Sequence, residues 1–141
     1  MVIKVKKLHP EATLPQYALP GDAGMDLCSN ETINLQPQER KLIPTGIAMA
    51  IPSGYVGLIW DKSGIASKHG LKTMAGVIDS GYRGEVKILL HNLSTEPFTV
   101  EKGKKIAQMV FNKVEEAVFN EVSELDDTSR GSGGFGSTGL H

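Results

Sequence analysis

The sequence predicts an all-β domain, a sandwich or barrel, on three observations. Sixteen glycines and seven prolines are spread along 141 residues and cut the chain into short pieces. Several of those pieces alternate apolar and polar residues with the period of two that half-buried strands require. The pieces also follow one another at close intervals, as in sandwiches and barrels. A chain of this length makes about one domain. No repeat of 20 to 50 residues and no linker divides it.

Taken in order, Ile3-Lys4-Val5-Lys6 and Ile33-Asn34-Leu35-Gln36 alternate and read as strands with one wet face, as does Phe98-Thr99-Val100-Glu101. Ile47 to Ile51, Val56 to Trp60, Val86 to Leu90 and Ile106 to Phe111 carry apolar or small residues on both faces, which predicts strands covered on both sides. Ser63 to Lys68 reads as a short helix that Ser63 caps and Gly70 stops. Gly76 to Val86 sets turn residues between apolar runs and predicts a β-hairpin with Asp79 and Tyr82 near its bend. Val114, Val118, Val122 and Leu125 recur at helical spacing, so local pattern alone predicts a helix over Lys113 to Leu125. From Ser129 to Leu140 the chain has five glycines and three serines, too little apolar surface to offset chain entropy. That arm is expected to move freely unless something binds it.

Composition narrows the function. Hydrophobic residues are 40 % and charged ones 22 %, a globular balance. No apolar run approaches the ~20 residues of a spanning helix, so membrane insertion is not expected. Fifteen Lys+Arg against sixteen Asp+Glu leave a net charge of −1, which disfavours a protein that coats nucleic acid. Cys28 is the only cysteine, so no intrachain disulfide can form. The start MVIKVKKLHP lacks the apolar core of a secretion signal, and a reducing, cytoplasmic location is expected.

Gly131-Ser132-Gly133-Gly134-Phe135-Gly136 has the form GxGxxG, but a dinucleotide fold needs a strand before it and a full helix after it, and only five residues remain. There is no P-loop, and the four histidines and Cys28 lie too far apart for a standard zinc spacing; His69 and His91 read as surface or structural. The aromatic ring of Phe135 in a polar glycine arm is less easily dismissed. Freed backbone N–H groups, two hydroxyls and the Arg130 guanidinium suit phosphate oxygens, and a ring can stack on a base. The residues alone leave open a nucleotide lid or a solvated tail. They also leave Asp79 open as a turn acceptor and Tyr82 as a packed ring.

Five blocks occur in order: Ala23-Gly24-Met25-Asp26-Leu27; Lys62-Ser63-Gly64 leading to Lys68-His69-Gly70; Gly76 to Val86; Gly103 to Gln108; and Arg130 to Gly139. Together they closely resemble the trimeric dUTPase family, the deoxyuridine 5′-triphosphate nucleotidohydrolases, from about Leu19 to Gly139. The resemblance implies a distorted jelly roll of the β-clip kind, closed as a barrel, in a homotrimer with a swapped C-terminal segment. Residues 1–128 would form the β domain and 129–141 an arm that closes over a site shared between subunits. In the family the segment after residue 113 is extended, against the helical pattern.

The same resemblance implies hydrolysis of dUTP to dUMP and pyrophosphate, which supplies dUMP and keeps uracil out of DNA. Asp79 matches the carboxylate that deprotonates the water attacking the α-phosphorus, and general-base help is worth ~10²–10⁴-fold. Mg²⁺ is the implied cofactor, held by phosphates and water, with Asp26 reaching it through water. Ser63, Gly64 and Gln108 match phosphate-side donors. Gly76, Val77 and Ile78 lie where the backbone reads uracil, Tyr82 where a ring excludes a 2′-hydroxyl, and Lys87 at a variable ligand-side position. Phe135 would stack on the base while Arg130, Gly136, Ser137 and Thr138 close on the β- and γ-phosphates.

Three positions depart from the family pattern. Asp61 and Lys62 stand where Pro-Arg is common, so a planar bidentate contact becomes a point charge. Thr73, a substrate-binding position by the resemblance, stands where many bacterial members carry Asn, so a side-chain hydrogen bond to the nucleoside is missing or altered, and Gly81 stands where an acidic residue is frequent. Two other readings compete: a dCTP deaminase of the same fold, and a non-catalytic nucleotide-binding regulatory trimer. The intact arm and hairpin favour the hydrolase over the first, and Asp79 disfavours the second.

Overall fold

The computed structural model describes residues 1–139; Leu140 and His141, the end of the expected arm, lie outside the described residues. Ten strands and one short helix follow one another: β1 (Lys4–Lys7), β2 (Met25–Cys28), β3 (Ile33–Leu35), β4 (Arg40–Ala50), β5 (Tyr55–Asp61), α1 (Ser63–His69), β6 (Leu71–Met74), β7 (Val77–Ile78), β8 (Glu85–Asn92), β9 (Phe98–Val100) and β10 (Lys105–Lys113). They form two four-stranded sheets, β1-β4-β8-β6 and β2-β10-β5-β7, and a two-stranded β3-β9 ladder, all antiparallel. Leu27, Leu35, Ile43, Ile47, Ile51, Val86, Ile88, Leu90, Val100, Ile106 and Met109 are fully buried in one core. Each such side chain contributes roughly 1.5–3 kcal/mol.

Every strand expected from the sequence is present, with two refinements. β5 and β8 alternate instead of being covered on both sides, and Trp60 at the end of β5 and Lys87 on β8 are exposed. β4 is long and slips register between Pro44 and Ala48. At the slip Gly46 has φ 71°, and a Cβ there would lie 2.9 Å from Ala12 and Asn30, so glycine is required.

The α1 helix forms where expected, but its N-cap is Lys62, with no side-chain cap bond; Ser63 is already helical and cannot serve as the cap. Gly70 stops it as predicted, in the left-handed region at φ 67° with its N–H donating to Ala66 O.

The Gly76–Val86 hairpin is corrected. β7 pairs with β5 in one sheet, whereas β8 pairs with β4 and β6 in the other. The true hairpin is β6–β8, and residues 75–84 are an excursion from its tip that docks on the edge of the second sheet. Ala75 (φ 57°) and Gly76 (φ 101°) turn the chain from one sheet to the other. Beyond the close approach of the two strands in sequence, no local signal distinguishes the partners, because the excursion returns through a turn in which Tyr82 N–H donates to Asp79 O.

The helix predicted by spacing over Lys113 to Leu125 does not form. β10 runs to Lys113, Val114 N–H donates to Gly54 O, and from there to Gly139 the chain has neither helix nor strand. Val118, Phe119 and Leu125 are almost fully exposed, so the apolar stripe has no surface of its own chain to pack on. A helix of this length with a β-branched residue at each fourth position is marginal without such a surface. The extended course agrees with the family resemblance.

Candidate active site

Asp79 follows β7 and is exposed between two grooves. One, about 310 Å³, is lined by Leu42, Val77, Ile78, Tyr82, Glu85 and Lys87 as well as Asp79. The other, about 610 Å³, runs along Ser53 to Val56 to Val114 and Glu116. The excursion that carries Asp79 is braced internally. Tyr82 Oη donates to Glu85 O at 2.8 Å, and Arg83 Nη1 donates to Ser80 O at 2.7 Å and Tyr82 O at 3.0 Å. The Tyr82 ring lies over Gly84, where a Cβ would stand 2.5 Å from its hydroxyl, so glycine lets the ring fold onto its own turn.

β7 is an edge strand. Ile59 N–H donates to Gly76 O at 2.8 Å, and Leu58 stands opposite Val77. In an antiparallel ladder that register turns the Val77 N–H and C=O away from β5, to the open edge of the sheet. A donor and an acceptor of one residue are thus presented side by side next to Asp79. Gly76 cannot be replaced without strain, because a Cβ would lie 3.0 Å from Ile59 O.

A second cluster gathers where β5 meets α1. Asp26, on β2, is 2 % exposed and faces two ammonium groups: Lys62 Nζ at 2.5 Å from Oδ1 and Lys105 Nζ at 2.8 Å from Oδ2. The Lys105 pair is an ion pair at poor hydrogen-bonding angle, so Oδ2 is buried without an aligned donor. Burial pushes the Asp26 carboxyl up, but the two lysines, Lys105 first, outweigh it and hold the group below the usual aspartate range. Asp26 in turn raises the Lys105 ammonium. Lys62 and Gly64 also line a basic groove of about 240 Å³ with Ile65, Lys68, His69 and Lys104. Ser63 and Gly64 are exposed at the first turn of α1, where helical N–H groups have no intrahelical partner.

Gln108 on β10 donates through Nε2 to Asp61 O at 2.8 Å. It lies tight against Gly24, where a Cβ would fall 1.8 Å from its Oε1. Thr73 on β6 is buried, and its N–H and Oγ1 donate to Asp61 Oδ1 at 2.6 and 2.8 Å. Asp61 Oδ2 accepts from Lys72 Nζ at 2.8 Å. Burial acts upward on Asp61, but Lys72 and the Thr73 donors prevail and lower it. Sequence reading of the motif blocks passed over the roles of Asp61, Lys105 and Arg83. The one local signal was a carboxylate immediately before Lys-Ser-Gly.

The sites the sequence singled out therefore fall into three groups. Gly76, Val77, Ile78, Asp79, Tyr82 and Lys87 come together, and Asp26, Lys62, Ser63, Gly64, Thr73 and Gln108 surround the β5–α1 junction. The grooves of these two groups share no lining residue. The third group, Arg130, Phe135, Gly136, Ser137 and Thr138, folds only on itself. Arg130 Nε donates to Gly133 O at 2.9 Å, Ser137 N–H donates to Gly134 O at 3.0 Å, and the Phe135 ring is fully exposed. The His69 ring packs tilted against Phe98, with centroids 4.9 Å apart, and His91 Nε2 lies 3.0 Å from Gln38 O.

Comparison with known proteins places this geometry. The chain is 50 % identical over 141 residues to the deoxyuridine 5′-triphosphate nucleotidohydrolase of Clostridium kluyveri, covering 99 % of both proteins. It superposes with a TM-score of 0.93 on the dUTPase of Staphylococcus bacteriophage 80alpha solved with dUPNHPP, at 33 % identity over 99 % of each chain. A mutant dUTPase from phage phi11 of S. aureus, whose structure reveals the coordination of a structural Mg(II) ion, superposes at 0.85, with 29 % identity over 90 % of this chain and 100 % of that one. The sequence profile of the dUTPase family matches residues 10–139, and the chain belongs to that family.

Proposed function

We propose how this chain performs its reaction, the hydrolysis of dUTP to dUMP and pyrophosphate: Asp79 takes a proton from a water as that water attacks the α-phosphorus. The chain is a dUTP diphosphatase, a hydrolase of nucleotide metabolism. A bond forms from the water oxygen to the α-phosphorus, the bond to the bridging oxygen of the β-phosphate breaks, and pyrophosphate leaves. The observation that carries this reading is the position of Asp79, open to two grooves and one residue beyond the edge strand that can read a base.

Uracil presents an N3–H donor between two carbonyl acceptors. The outward N–H and C=O of Val77 complement that edge, whereas cytosine would set its N3 lone pair against the carbonyl. Tyr82, folded back over Gly84, provides the ring against which a deoxyribose fits and a 2′-hydroxyl does not. Ser63, Gly64, Lys62 and Gln108 bind the phosphate chain, and Lys87 lies at the mouth of the nucleoside groove.

Two features of a single chain support a shared site in a homotrimer. The base-side and phosphate-side grooves have no residue in common, and the arm with Phe135 stands clear of both. A neighbouring subunit supplies what one chain lacks, and the arm beyond residue 128 closes over dUTP, with Phe135 on the base and Arg130, Gly136, Ser137 and Thr138 on the phosphates. Closure excludes bulk water from the reaction.

Mg²⁺ fits the donors available. Asp26 is the buried carboxylate of the phosphate-side cluster, and because its Oδ2 already faces Lys105 Nζ at 2.8 Å it would reach a water of a triphosphate-borne ion only once that lysine swings aside to the phosphates. Such an ion supplies neutralisation of phosphoryl charge. Among the described residues no helix is long and apolar enough to cross a membrane. The lone, buried Cys28 suits a reducing compartment such as the cytoplasm, where the substrate of this reading is a small molecule.

The protein with Mg²⁺ is expected to release pyrophosphate from dUTP and much less from dTTP, dCTP or UTP; ammonia from dCTP would reverse the assignment. Asp79→Asn is expected to bind a non-hydrolysable dUTP analogue normally and to lose roughly 10²–10⁴-fold in turnover. Loss of analogue binding as well would make Asp79 a structural residue.

A further inference from the structure

Asp61 joins four pieces of the phosphate-side cluster through one residue. It ends β5 and immediately precedes Lys62, Ser63 and Gly64. Its carboxylate accepts both the backbone N–H and the hydroxyl of Thr73 on β6, at 2.6 and 2.8 Å, and its carbonyl accepts Gln108 Nε2 from β10 at 2.8 Å. Thr73 is buried, so its hydroxyl is held in place against the partly exposed Asp61 carboxylate, whose other oxygen pairs with Lys72. Asp61 and Thr73 are also two of the positions at which this chain departs from the family pattern of Pro and Asn. In the sequence they look like unrelated changes. In the fold they bond to each other.

We propose that Asp61 is a positioning residue, paired with Thr73, that fixes the Lys62-Ser63-Gly64 turn and Gln108 relative to β6. A proline at this place would hold the turn through its locked φ. Asp61 has no such lock, and two hydrogen bonds from Thr73 to one carboxylate oxygen restrain it instead. The Thr73 hydroxyl hydrogen is thereby committed to Asp61, so Thr73 supports the site and does not donate to the nucleoside. Base selection is left to the Val77 backbone. This inference rests on the reading that Ser63, Gly64 and Gln108 hold the phosphate chain.

The test compares affinity for a non-hydrolysable dUTP analogue with affinity for dUMP, alongside kcat and KM for dUTP and the melting temperature. Asp61→Ala and Thr73→Val are each expected to weaken analogue binding and raise KM by about tenfold, with kcat and dUMP affinity changed less than about threefold. Asp61→Asn keeps an acceptor and Thr73→Ser keeps the hydroxyl, and both are expected to stay within about threefold of the parent. The double variant Asp61→Ala with Thr73→Val is expected to be no worse than the worse single change, because the two residues act as a unit.

Parent-like analogue affinity in Asp61→Ala, equal losses for analogue and dUMP, or additive losses in the double variant would overturn the proposal. Should Asp61→Ala not fold, Thr73→Val against Thr73→Ser makes the same comparison. Ser63→Ala and Gln108→Ala separate the two levels of the argument. If neither weakens analogue binding, the phosphate-site reading fails and this inference with it; if both do and Asp61→Ala does not, only this inference fails.

Discussion

Asp26 is the one charged side chain among the buried polar residues described, and two lysines from different strands and turns keep it ionised. Its carboxyl titrates lower in the folded chain than in the unfolded one. The stabilisation it gives is therefore complete above the usual aspartate range and is lost as pH falls through the lower, folded value. Asp26→Asn leaves two ammonium groups facing a neutral amide. Because both lysines are partly exposed, the cost is set nearer to that of an unmade charged hydrogen bond than of a broken fully buried pair, about 1–3 kcal/mol. Melting temperatures followed from about pH 7 to about pH 3 should show the parent well above the variant at neutral pH and the gap closing in acid. A gap that does not depend on pH would show that shape, not charge, is what Asp26 contributes.

At the scale of elements, the β5–α1–β6 stretch sets the Lys62-Ser63-Gly64 turn against the core, and α1 is too short to hold itself. Seven residues without a side-chain N-cap depend on how the helix is stopped. Gly70 adopts φ 67°, and a Cβ there would come within 3.3 Å of Ser94. Gly70→Ala is expected to destabilise by about 1 kcal/mol or more in urea unfolding. Gly64→Ala is the matched control, since that position lies inside the helix with open space around it. There alanine is expected to stabilise by up to about 1 kcal/mol. Two changes of the same size with opposite signs would locate the strain in the backbone at Gly70; equal effects would deny it.

At the scale of the molecule, the exposed stretch from Val114 onward supports the proposal that the site is shared between subunits. Val118, Phe119 and Leu125 lie open to solvent, and apolar side chains of that number in one segment call for a partner surface. If the arm serves a neighbour's site, an Asp79→Asn chain and a chain truncated before Ser129 should each be nearly inactive alone. Mixed and reassembled, they should regain a measurable fraction of the parent's pyrophosphate release, because some sites then combine an intact Asp79 with an intact arm. No recovery in hybrids verified by mass would place each arm on its own chain's site. Both proteins should sediment as trimers, since truncation leaves β10 and the segment after it in place.

Legible in the residues alone are the β class, most strands though not β2, β6 or the first half of β4, the stop at Gly70 and the five ordered blocks of the dUTPase family. Those features are local: a period of two, a glycine that must turn left, a run of residues that function side by side. The tertiary structure decided the partners. Gly76 to Val86 looked like one hairpin because its apolar runs are adjacent, but β7 and β8 answer to strands in different sheets. Lys113 to Leu125 carried a helical period, yet a helix needs a surface for its stripe and the chain gives it none. Asp26 and Lys62 stand 36 residues apart, and Asp61 and Gln108 47. Contacts at such separations leave no periodic trace in the sequence, because the free energy that selects them comes from burial and bonds that exist only once the two sheets have met.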